Sequence, residues 1–143
     1  MIWPILFSVG LALFIGGRHQ FEKKTLAHFD ERVFPVSAAD WLIRNPQSGN
    51  MFNDINWGGY LLYRLWPEHK VFLDSQTDFF GEELVKEYDR AILAQEGWRV
   101  VLEKNEIEWA ILPPSAPLTD TLQASGWSVI FEDKTAVILK VPQ

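Results

Sequence analysis

The chain has 143 residues with 13 basic and 19 acidic side chains, a net charge of −6, and no cysteine. That length accommodates one compact core, and 48% hydrophobic with 14% aromatic residues excludes a disordered chain. The missing cysteines exclude a disulfide scaffold and thiolate metal sites, and an acidic balance without a lysine or arginine run argues against a nucleic-acid partner.

The charges are unevenly placed. Met1 to Gly17 carries none, and Arg18 is the first ionisable side chain. Seventeen residues at about 1.5 Å rise span about 25 Å, slightly less than a hydrocarbon core of about 30 Å. Ile2, Ile5, Leu6, Phe7, Val9, Leu11, Leu13, Phe14 and Ile15 all favour lipid. The segment reads as a membrane helix (residues 1–17), either whole or the tail of one that begins upstream, followed by a juxtamembrane linker (18–34) and a globular body (35–143). A signal peptide would need a basic n-region and a small-residue cleavage pattern, neither of which is present. A buried helix of the body is the remaining alternative. Arg18, Lys23 and Lys24 follow the apolar segment, and the positive-inside rule on its own places the body in the cytoplasm. From Pro35 onward there are 9 basic and 16 acidic residues, a net −7.

In the body, Val36-Ser37-Ala38-Ala39-Asp40-Trp41 opens a helix that Ser37 is expected to cap, with Asp40 reaching back and Val36 stapled to Trp41. Asn45-Pro46 ends it. Met51-Phe52-Asn53 reads as a short strand, and Gly58-Gly59 open a helix through Leu65 that Pro67 stops. Lys70-Val71-Phe72-Leu73-Asp74 reads as a buried strand. Glu82 to Ala94 has the 3.6-residue apolar period with acids in its first turn, and Gly97 separates it from a helix over Trp98 to Asn105. Trp109 to Leu112 is an apolar strand closed by Pro113-Pro114, and Leu118 to Ala124 a short helix ended by Ser125-Gly126. Trp127–Phe131 and Ala136–Leu139 flank the turn at Glu132-Asp133-Lys134 as a hairpin. This order predicts a small α/β domain with a mainly parallel sheet, flanking helices and a C-terminal antiparallel hairpin, preceded by one apolar helix.

The usual phosphate-binding and zinc motifs are absent, as is a nucleophile elbow, and His19, His28 and His69 are scattered. No catalytic residue, metal or cofactor is expected. Two segments are candidates for ligand binding. In Trp57-Gly58-Gly59-Tyr60 a glycine pair at a strand-to-helix turn permits close approach, and Trp57 and Tyr60 offer flat faces with polar tips suited to a sugar or peptide. The alternative for the same residues is a tight turn with core aromatics. Asp74, directly after an expected strand, is placed where the ligand crevice of a parallel sheet lies, and with Asp78 it has the spacing to bind a divalent cation. The alternative is that Asp74 bonds the loop backbone while Asp78 caps the next helix.

Phe34-Pro35 through Val141 resembles the C-terminal soluble domain of multi-spanning prokaryotic membrane glycosyltransferases of the dolichyl-phosphate-mannose:protein mannosyltransferase-like, GT-C type. The resemblance rests on Asn53 to Leu61, Lys70 to Asp74, Phe80 to Glu83, Trp98 to Leu102 and Gly126 to Ile138. A fainter similarity links Trp57, Gly59 and Tyr60 to the acceptor-reading segment of oligosaccharyltransferase catalytic subunits, whose aspartate has no counterpart here. Enzymes of the GT-C type carry their catalytic aspartate in an early loop between membrane helices and use a lipid-phosphate-linked sugar. The resemblance therefore implies the last membrane helix plus an extracytoplasmic accessory domain, separated from the catalytic membrane part. Its implied partners are the lipid bilayer, that membrane part, or a glycan or peptide acceptor. A free-standing single-pass interaction module with a cytoplasmic body is the alternative.

Overall fold

The computed structural model describes residues 28–76 and 81–142. They form a four-stranded sheet covered by helices on both faces. The elements are α1 (Val36–Arg44), β1 (Asn50–Asn53), a single 3-10 turn (Ile55–Trp57), α2 (Gly58–Leu65), α3 (Glu82–Ile92), α4 (Trp98–Lys104), β2 (Ile107–Leu112), α5 (Pro117–Ala124), β3 (Ser128–Glu132) and β4 (Val137–Lys140).

The two layers follow from alternation along the strands. Successive strand side chains point to opposite faces, and a strand buried on both sides reads as a continuous apolar run. In β2, Trp109 and Ile111 pack with α1 and α2 through Ala38, Leu42, Leu61 and Leu65. Ala110 and Leu112, the intervening residues, pack with α3, α4 and α5 through Ala91, Leu102, Leu118 and Leu122. Met51 and Phe52 of β1 divide between the two faces, as do Ile138 and Leu139 of β4.

The sheet order is β1-β2-β4-β3. Only β1 and β2 pair in parallel, whereas β2–β4 and β3–β4 are antiparallel. The sheet is therefore mixed, not mainly parallel. The expected hairpin forms, and its second strand lies against β2 in the sheet interior, which brings two antiparallel ladders at once. Asp133 holds the hairpin loop, its Oδ1 accepting from the amides of Thr135 at 2.7 Å and Ala136 at 2.8 Å.

Lys70–Asp74 is the second correction, since it joins no ladder. Its apolar residues are inside nonetheless: Leu73 is fully buried, and Val71 and Phe72 pack on opposite clusters. The segment carries the chain from the α2 layer to the α3 layer around the end of β1. Its backbone partner is a side chain. The fully buried Asn53 accepts from the Phe72 amide at 2.7 Å through Oδ1 and donates to the Leu73 carbonyl at 2.8 Å through Nδ2. One amide thus supplies what a neighbouring strand would have supplied.

Helix boundaries hold within a residue or two, with local changes. Helix α1 begins at Val36 with Pro35 at its N-cap and no side-chain cap, so Ser37 does not cap it. Asp40 pairs with Arg64 of α2 instead of reaching back. Helix α3 stops at Ile92, two residues before the expected Ala94, which takes a left-handed conformation (φ 50°). Among the described residues no helix is long and apolar enough to cross a membrane, and Met1–Gly17 lies outside them.

Candidate functional site

The Trp57–Tyr60 turn and the Asp74 loop lie together, as their positions after β1 and after the crossing segment require. Gly58 is the point of contact. A Cβ built on it would fall 2.3 Å from the Leu73 carbonyl oxygen and 2.5 Å from the Asp74 Cα. The glycine thus serves close backbone approach, but the neighbour is this chain's own crossing segment. Gly59 next to it faces open space.

The two aromatics point inward. Trp57 and Tyr60 are 6% and 4% exposed, and both belong to the core between the sheet and α1–α2. Trp57 Nε1 donates to the Val33 carbonyl at 2.9 Å, tying the chain ahead of α1 to the start of α2. The Tyr60 hydroxyl accepts from Arg64 at 2.9 Å, and Arg64 also pairs with Asp40. Burial pushes the Tyr60 hydroxyl above its usual range against the opposing pull of Arg64. Both polar tips are thus engaged within the body.

Asp74 is half-buried, and its Oδ1 accepts from the Gln76 amide at 2.8 Å. This is the loop-bonding alternative, and with no strand before it, the crevice argument for Asp74 loses its premise. Asp78 lies outside the described residues. Among the described residues no three His, Asp or Glu side chains cluster with the spacing of metal ligands. Asp54 and Tyr88 complete the turn's structural work. Asp54 caps the 3-10 turn by accepting from the Asn56 amide, and the Tyr88 hydroxyl accepts from the Ile55 amide at 2.9 Å.

Two surface hollows lie along α2. The first is a cleft of about 410 Å³ between α1 and α2, lined by Leu42, Ile43, Arg64, Leu65, Glu68 and His69. His69 is nearly buried, with its ring edge-on to Trp109 at 5.1 Å. Burial lowers its pKa, opposed by the charge of Glu68, so the neutral imidazole is favoured. The second is the outward side of α2, where Gly59, Leu62, Tyr63 and Trp66 form a shallow apolar hollow. Tyr63 and Trp66 are 61% and 59% exposed. Their spacing at i, i+3, i+4 and i+7 marks one helix face and was legible in the sequence. It is masked there because α2 is apolar on both sides, so its inward residues alone account for a helix.

No protein-family model matches the chain, and no curated protein or solved structure matches it at a significant level.

Proposed function

We propose that this chain is an extracytoplasmic accessory domain of a membrane glycosyltransferase-like protein, tethered by Met1–Gly17, with the sugar-transfer chemistry carried by a separate membrane part. The resemblance over Phe34–Val141 supports the glycosyltransferase assignment. The observation that carries the accessory role is the use made of Trp57 and Tyr60. The residues best suited to grip a sugar or peptide have their polar tips bonded to Val33 and Arg64 inside the body's own core. A surface that only docks leaves such groups free for internal work, whereas a substrate-reading pocket needs them turned outward.

The test reconstitutes the full chain in proteoliposomes with a polyprenyl-phosphate-linked sugar and a peptide or glycan acceptor. No transfer is expected from the chain alone, and unaided transfer would overturn the accessory role. A reporter fused to the C-terminus reads orientation at the same time. Activity of an extracytoplasmic reporter is expected. Activity only in the cytoplasm would favour the free-standing interaction module, which the basic flank of Arg18, Lys23 and Lys24 supports.

A further inference from the structure

We propose that the outward face of α2 is a lipid-facing surface, with Tyr63 and Trp66 seated in the interfacial layer of the bilayer that Met1–Gly17 enters. The inference rests on the tethered reading above and names the surface through which the body meets the membrane.

Helix α2 buries Tyr60, Leu61 and Leu65 inward, yet its other side is apolar as well. A surface helix in water ordinarily places charged residues there. Among the described residues, the hollow is lined by Gly59, Leu62, Tyr63 and Trp66, with no acidic side chain and no lysine, arginine or histidine. Tyrosine and tryptophan are the residues enriched at membrane–water interfaces, since each pairs a flat apolar body with one polar group. Of the large apolar residues that stand exposed among those described, Tyr63 and Trp66 are the aromatic ones, and they share this one face.

Chain path supplies the second, independent argument. Phe29 packs edge-on against Tyr60 at 4.7 Å and tilted against Tyr63 at 5.9 Å, so the polypeptide arriving from the apolar segment joins the body at the rim of this face. Eleven residues lie between Gly17 and Phe29, and even a fully extended chain over those twelve steps spans at most about 43 Å. Any bilayer that holds Met1–Gly17 is therefore within tether reach of α2. The opposite helical layer, with α5, lies across the sheet. Such tethering raises the effective concentration of lipid at the near face, so weak interfacial contacts suffice to orient the body.

The absence of cysteine permits a direct test. A Cβ on Gly59 meets nothing within 4 Å, so Gly59→Cys is tolerated on the face itself, and Ala124→Cys on exposed α5 serves as the distal control. Each full-length variant carries an environment-sensitive fluorophore and is reconstituted into phosphatidylcholine–phosphatidylglycerol vesicles, with and without brominated acyl chains. Flotation of the chain with vesicles, a blue-shifted label at position 59 and its quenching by bromolipid, with an aqueous label at 124, are the expected results. Adding Tyr63→Gln and Trp66→Gln should abolish the quenching while circular dichroism stays unchanged. Flotation with an aqueous, unquenched label at 59 overturns the lipid-facing surface and leaves the tether intact. A blue shift without bromolipid quenching also overturns it, in favour of a protein neighbour or a second copy of the chain. Failure to float overturns tether and surface together.

Discussion

Asn53 gives the sharpest test of how the two helical layers are joined. Its side chain makes three hydrogen bonds: from the Phe72 amide, to the Leu73 carbonyl and to the Asp54 carbonyl, at 2.7, 2.8 and 2.8 Å. Asn53→Leu keeps the volume and removes all three. Each net bond contributes about 0.5–1.5 kcal/mol, and leaving a buried carbonyl unpaired costs about 1–3 kcal/mol. A loss of about 3–5 kcal/mol follows, a large share of a total stability of about 5–15 kcal/mol. Asn53→Asp separates hydrogen bonding from shape. An ionised carboxylate there still accepts from Phe72 but faces two carbonyl oxygens, so burial and repulsion raise its pKa above the unfolded value of about 3.9. Below about pH 4 the carboxyl is protonated in both states and its O–H can serve one carbonyl. As pH rises past that value the unfolded chain releases the proton first, and stability falls until the folded-state pKa is passed. Urea unfolding of the full chain in a non-ionic detergent, followed by tryptophan fluorescence from pH 3.5 to 8, measures both variants. The Asp variant should lose stability steadily above pH 4 relative to the native chain, and the Leu variant's deficit should stay constant. A Leu variant within about 0.5 kcal/mol of the native chain would refute the role given to Asn53.

Gly58 and Gly59 should respond in opposite directions to alanine. Gly58→Ala drives a methyl group onto the backbone of Leu73 and Asp74 and should cost about 1–3 kcal/mol, while Gly59→Ala, facing open space in a helix, should gain about 0.5–1 kcal/mol, both read from urea midpoints. Tyr88→Phe removes the acceptor for the Ile55 amide and should cost about 1–2 kcal/mol. In the native chain burial drives the Tyr88 phenol well above its usual range. Stability read from urea midpoints should therefore fall as pH rises above about 10, and Tyr88→Phe should flatten that limb. Burial lowers the His69 pKa, so the unfolded chain binds a proton that the folded chain resists. That contribution is present above about pH 6.5 and lost as pH falls below it, and His69→Phe should flatten the pH 5–7 limb of the stability profile.

The sequence was most informative where structure depends on neighbours in the chain. The helices over Gly58–Leu65, Glu82–Ile92, Trp98–Lys104 and Pro117–Ala124 are announced by glycine and proline punctuation and by apolar spacing, and each is found within a residue or two. The strands over Asn50–Asn53 and Ile107–Leu112 and the hairpin were legible for the same reason. Burial was legible as well: Val71-Phe72-Leu73 goes inside as its composition demands.

What packs against a buried segment was settled only by the tertiary structure. An apolar run reports that water is excluded, but backbone groups removed from water accept any partner of correct geometry, and for Phe72 and Leu73 that partner is the Asn53 amide twenty residues earlier. The same non-local choice set β4 beside β2, turning an expected mainly parallel sheet with an edge hairpin into a mixed one. It also decided the candidate site. Trp57 and Tyr60 carry both an apolar face and a polar tip, a character that serves a ligand or a core equally well, and the positions of Val33 and Arg64 directed them to the core. Composition and spacing fixed which residues leave water; only the folded chain determined which groups meet them there, because pairing energy depends on distance in space and not on distance along the polymer.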